Sequence, residues 1–60
     1  MKTYELRHDG ETIAVVAARS MRRAVSLLSA PFGAPDWLVV SRTLGGFRVA
    51  GAAYSVRIAR

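Results

Sequence analysis

The stretch TYELRHDGETIAVVAARSMRRAVSLL, residues 3–28, decides the fold, because the spacing of its apolar side chains changes at Ser20. Ahead of that serine, residues 2–18 read as a β-hairpin. Tyr4 and Leu6 alternate with Thr3, Glu5 and Arg7, the two-residue period of a half-buried strand. Asp9-Gly10 follows, a pair that suits the two positive φ angles of a type I′ turn. The return strand, Thr12 to Ala18, carries Ile13, Val15 and Ala17 on one face and Ala14, Val16 and Ala18 on the other. A strand apolar on both faces is expected in the middle of its sheet or under a cover. Beyond Ser20, an N-cap residue, the period lengthens: Met21, Ala24, Val25 and Leu28 fall at i, i+3, i+4 and i+7, one stripe of an amphipathic helix. Leu27 widens the stripe, while Arg22, Arg23, Ser26 and Ser29 are placed on the outward side.

Downstream, Pro31 disfavours helical geometry at Ala30 and closes the helix there. Ala30 to Asp36, with Pro31, Gly33 and Pro35, reads as a loop. Trp37 to Thr43 is rich in strand-forming residues, Gly45-Gly46 reads as a tight turn, and Phe47 to Ala50 as the strand returning from it. Gly51-Ala52-Ala53 fits either a turn into a separate strand, Tyr54 to Ala59, or a bulge in one long strand; the separate strand is preferred. The order is then ββαβββ in one domain, residues 1–60. The expected class is α+β, a mainly antiparallel four- or five-stranded sheet with one helix packed on one face. Tyr4, Leu6, Ile13, Val15, Met21, Val25, Leu28, Phe47, Val49, Val56 and Ile58 form the expected core.

Sixty residues support only a thin core, and ten alanines make this one poor in volume. Self-association is one remedy, and the second apolar face of the second strand offers a surface for a homodimer. The chain has no cysteine and one histidine, which rules out disulfides, thiolate metal sites and a histidine-based zinc site. No cofactor is expected. No apolar run is long enough to span a bilayer and no secretory leader pattern opens the sequence, so the expectation is a soluble, intracellular protein without a membrane partner.

Nine basic residues oppose four acidic ones, for a formal charge of +5. The excess is uneven. Residues 1–36 hold five basic and four acidic residues, whereas residues 37–60 hold Arg42, Arg48, Arg57 and Arg60 with no acid. Such a field attracts nucleic acid, acidic proteins or anionic surfaces. The most informative charges are Arg19, Arg22 and Arg23, crowded at the start of the helix, where the backbone already carries partial positive charge. Cations there cost about 0.3–1 kcal/mol each, which points to a surface kept for an acidic partner.

Little supports catalysis. His8 sits beside Asp9 at a hairpin tip with no nucleophile near in sequence, and Glu5, Asp9, Glu11 and Asp36 form no paired acid and base. No phosphate-loop or dinucleotide fingerprint occurs, so a non-enzymatic protein is expected. Binding has more to work with. A two-residue loop at Gly45-Gly46 would turn Leu38, Val40, Phe47 and Val49 toward the helix. Trp37 and Arg48 would then share the open face as an aromatic-plus-cation patch of the kind that anchors interfaces. A shifted register would instead bury Trp37, the outcome slightly favoured for a lone tryptophan in a small domain. Arg57 and Arg60 extend the positive zone. With Arg19, Arg22 and Arg23, these make Trp37, Arg48 and Arg57 the candidate partner-binding residues. No helix-turn-helix, zinc finger or RNA-recognition motif is present, so direct nucleic-acid binding would be weak and salt-sensitive.

An opening hairpin, Ala18-Arg19-Ser20 leading into Met21-Arg22-Arg23-Ala24-Val25, and the segment Leu44-Gly45-Gly46-Phe47 follow one another along the chain. In that order the sequence resembles small phage-encoded anti-CRISPR proteins of type I systems, particularly a one-helix, five-stranded kind. The resemblance covers most of the chain as pattern rather than as a short motif. It implies a stoichiometric inhibitor that docks on the Cascade surveillance complex and interferes with target-DNA binding in the cytoplasm of a bacterial host. The positive charge fits contact with acidic Cas surfaces, or with RNA or DNA held by the complex. The other readings are a small basic nucleic-acid-binding module and a dimeric phage structural or regulatory protein.

Overall fold

The computed structural model describes residues 1–33 and 35–59; Arg60, expected to extend the positive zone, lies outside them. Strands β1 (Lys2–His8) and β2 (Glu11–Ala18) form the opening hairpin, followed by helix α1 (Met21–Ser29). Strands β3 (Asp36–Val39), β4 (Leu44–Val49) and β5 (Ala52–Ile58) complete one antiparallel sheet, ordered β2-β1-β5-β4-β3. The helix packs on one face, so the α+β, ββαβββ arrangement expected from the sequence is the one adopted.

Local chemistry explains most boundaries. Asp9 and Gly10 have φ of 52° and 79°, as a type I′ turn requires. The Ser20 hydroxyl accepts the Arg23 amide at 3.1 Å and caps α1. At the other end, Ala30 stays in the right-handed helical region despite the proline after it. The chain tightens into a 3₁₀ turn, Ala30–Phe32, and stops at Gly33 in the left-handed conformation. Part of the expected loop is therefore a helical extension that brings Phe32 over the sheet. There Phe32, Phe47 and Tyr54 form an aromatic cluster with centroids 5.1–5.3 Å apart.

The core lies between α1 and the sheet. Tyr4, Leu6, Phe47 and Val56 from the strands meet Met21, Ala24, Val25 and Leu28 from the helix, with Ala18 at the junction. Ile13 and Val15, expected there, face outward and are 49% and 59% exposed. The register gives the reason: Tyr4 pairs with Val16 and Leu6 with Ala14, so Val16 and Ala14 share their buried face. The pairing shifts between Leu6 and Arg7, which leaves Ile13 as the extra residue of a bulge. Strand β2 is an edge strand rather than a central one. Its second apolar face is uncovered.

The later hairpins also differ in detail from the sequence reading. Gly45 and Gly46 are not a turn; they lie inside β4, opposite Val39 and Leu38. The connection is Val40–Thr43, where the Val40 and Ser41 amides both donate to the Leu44 carbonyl at 3.0 Å. Close approach explains the two glycines. A Cβ on Gly45 would press on the Leu38 carbonyl and the Met21 side chain, and one on Gly46 would collide with the Tyr54 carbonyl oxygen. The next turn is Ala50-Gly51, with φ of 49° and 82°, and β4 and β5 are separate strands, as preferred.

Candidate functional site

The register of β3 and β4 rearranges the expected patch. Trp37 pairs with Phe47, which is buried under the helix, so both rings lie on the helix side of the sheet. The Trp37 indole donates to the Ser29 hydroxyl at 3.1 Å. Ser29, expected to face outward, is 1% exposed, and its hydroxyl donates on to the Ser26 carbonyl. Leu27, expected to widen the buried stripe, is 38% exposed. Trp37 itself remains 42% exposed, neither buried nor on the open face. Arg48 pairs with Asp36 and Ala53 on the opposite face, so the expected Trp37–Arg48 patch does not form.

What the open face presents instead is aliphatic. Leu38, Val40 and Leu44 are 65%, 61% and 44% exposed. They surround a shallow depression of about 350 Å³ whose lining also includes Gly46 and Arg48. Arg57 is the cross-strand neighbour of Leu44 and borders the same apolar area. Its guanidinium also lies 3.5 Å from Glu5, which places it in a polar network at the centre of the sheet. Glu5 accepts from the Thr12 hydroxyl and from Arg7, and Arg7 reaches on to the Gly10 carbonyl. The Thr12 hydrogen bond holds the Glu5 carboxyl below its ordinary value against the opposing effect of burial; Arg7 and Arg57 add to the lowering.

Arg19, Arg22 and Arg23 do cluster at the start of α1, all exposed. Arg19 and Arg22 line a cleft of about 530 Å³ between the helix N-terminus and the Val40–Thr43 loop. Lys2 and Arg42 join them there, neither of which the sequence marked as a site residue, together with Tyr4, Ser20 and Ser41. Among the described residues, no acidic one lines the cleft. Arg23 is not part of that lining; it borders two neighbouring grooves, one with Arg22, Ser26 and Trp37 and one with Ala18, Arg19 and Leu27. The six sequence-derived candidates thus divide between two surfaces. Arg19, Arg22, Arg23 and Trp37 lie around the helix, while Arg48 and Arg57 lie on the open face. Lys2 and Arg42 are 40 residues apart in the chain, and only folding brings them together.

His8 is held structurally. Its ring stacks on Tyr54 with centroids 4.5 Å apart, its Nδ1 donates to the Ala53 carbonyl at 3.2 Å, and Nε2 lies 3.4 Å from Asp9. Among the described residues, no three His, Cys, Asp or Glu side chains converge as a metal site. No helix among them is long and apolar enough to cross a membrane. Compared with protein families, curated proteins and solved structures, the chain matches none.

Proposed function

We propose that this chain is a non-enzymatic binding protein that docks through its open sheet face, and that its partner is a type I Cascade complex whose target-DNA binding it obstructs. The observation that supports docking is the uncovered aliphatic patch of Leu38, Val40 and Leu44 flanked by Arg48 and Arg57. An apolar centre beside arginines is the make-up of protein interfaces rather than of a plain solvated surface. The net charge of +5 directs the patch to an acidic counterpart. The choice of Cascade comes from the sequence resemblance to type I anti-CRISPR proteins.

The test is retention of tagged protein by purified, nuclease-treated type I Cascade at 50 and 500 mM salt. Retention at both concentrations is expected, because a desolvated apolar centre is little affected by screening. Leu38→Asp, at a position 65% exposed in the free protein, should abolish retention with little change in melting temperature. Failure with every complex, alongside salt-sensitive capture of free DNA or RNA, would replace this reading with that of a basic nucleic-acid-binding module.

A further inference from the structure

The cleft at the basic end has a construction that the docking face does not explain. Four cations converge on it from three parts of the fold: Lys2 at the start of β1, Arg19 and Arg22 around the helix N-terminus, and Arg42 in the β3–β4 loop. Mutual repulsion opposes that arrangement, and among the described residues no acidic side chain in the lining relieves it. The helix adds its own positive end. Ser20 caps the Arg23 amide, and the Ala24 amide makes the first helical hydrogen bond, to the Ser20 carbonyl. The Met21 and Arg22 amides precede that first bond and have no acceptor within the helix.

A second observation points to a ligand independently of the helix. Tyr4 is 98% buried, since only 2% of it is exposed, yet it lines the cleft. Its hydroxyl takes part in none of the side-chain hydrogen bonds among the described residues. No fully buried side-chain polar atom among those residues lacks a partner. The Tyr4 hydroxyl therefore keeps some contact with solvent and has no partner among the described residues, and its residue lines the cationic cleft. Buried tyrosines ordinarily satisfy that group.

We propose that this cleft is a phosphate-binding site. Lys2, Arg19, Arg22 and Arg42 supply charge, and the Tyr4 hydroxyl and the free N-terminal amides of α1 supply neutral donors. A phosphate fits better than a carboxylate. Its oxygens project in several directions and accept from donors on every wall, and its charge of up to −2 offsets more of the four cations. Free phosphate and the backbone of a nucleic acid share this chemistry. The site stands on its own geometry and does not depend on the Cascade reading.

The experiment is an amide-resolved NMR titration of the full chain with inorganic phosphate, ionic strength held constant with chloride. Saturable shifts are expected at Met21 and Arg22 and in the Val40–Thr43 loop. Tyr4→Phe keeps the ring in the core and should weaken binding about tenfold, the effect of one hydrogen bond to a charged group. The double variant Arg22→Gln/Arg42→Gln should abolish saturation. Parallel titrations use a ten-residue oligothymidylate and acetate. Tighter binding of the oligonucleotide than of phosphate, at the same amides, identifies a nucleic-acid backbone as the source; equal binding identifies free phosphate. Linear shifts with phosphate would overturn the proposal. So would saturation by acetate at equal affinity, or a Tyr4→Phe variant that binds phosphate as well as the parent.

Discussion

Glu5 and Gly46 occupy the same open face, and each has a role that one substitution can expose. Glu5 is held ionised chiefly by the Thr12 hydroxyl, with Arg7 and Arg57 assisting. Its folded pKa lies below the ordinary value of 4.5. The stabilisation is therefore complete above pH 4.5 and is lost as pH falls through the lower, folded value. Glu5→Gln should lower the melting temperature at pH 7 and flatten its decline between pH 5 and pH 2. Thermal melts across that range check the sign, and an unchanged acid slope would remove Glu5 from the account. At Gly46 a methyl group would collide with a backbone carbonyl, which cannot rotate away as a side chain can. Gly46→Ala should cost about 1–3 kcal/mol, the usual range for overpacking, and thermal or chemical unfolding would measure it.

At the scale of elements, two features carry stored cost. The β4–β5 hairpin turns on Ala50, a residue with a Cβ held at a φ of 49°. Asn accepts that conformation more readily and forms with Gly51 the preferred type I′ pair. Ala50→Asn should therefore raise the melting temperature by about 4–8 °C if it recovers 1 kcal/mol in a domain of this size. The N-terminus of α1 carries the second cost. Arg22 and Arg23 stand in its first turn, which has no acidic residue. Replacing Arg19, Arg22 and Arg23 together with Gln should leave stability unchanged or higher, by about 0.3–1 kcal/mol per relieved charge, while weakening anion binding at the cleft. Lower stability with unchanged binding would show that these arginines serve the fold rather than a ligand.

Over the whole molecule, the charge asymmetry becomes a property of shape. Lys2, Arg19, Arg22 and Arg42 share one cleft that no acid among the described residues lines, whereas Glu5 is enclosed by Arg7, Arg57 and Thr12 at the centre of the sheet. Raising ionic strength from 0.01 to 1 M shortens the screening length from about 30 to about 3 Å. This relieves repulsion at the basic end more than it weakens the close Glu5 contacts, so melting temperature should rise with sodium chloride. A fall would mean that the Glu5 network outweighs the cluster.

By itself the sequence determined the opening hairpin, the helix and its cap, and the ββαβββ order. The Asp9-Gly10 turn, the alternation through Tyr4 and Leu6, and the Ser20–Leu28 stripe are local signals, read within a few residues of where they act. The arginine cluster on α1 was legible for the same reason. Only the tertiary structure decided which faces are covered. Cross-strand register turned Ala14 and Val16 rather than Ile13 and Val15 toward the core, where they are partly buried, turned Trp37 toward Ser29, and left Leu38, Val40 and Leu44 uncovered. Register follows from pairing between distant segments, and a shift of one residue moves every side chain of a strand to the other face. The cleft was hidden for a related reason: Lys2 and Arg42 are ordinary surface cations in the sequence, and they become neighbours only when the sheet brings β1 and the β3–β4 loop to the same end of the helix.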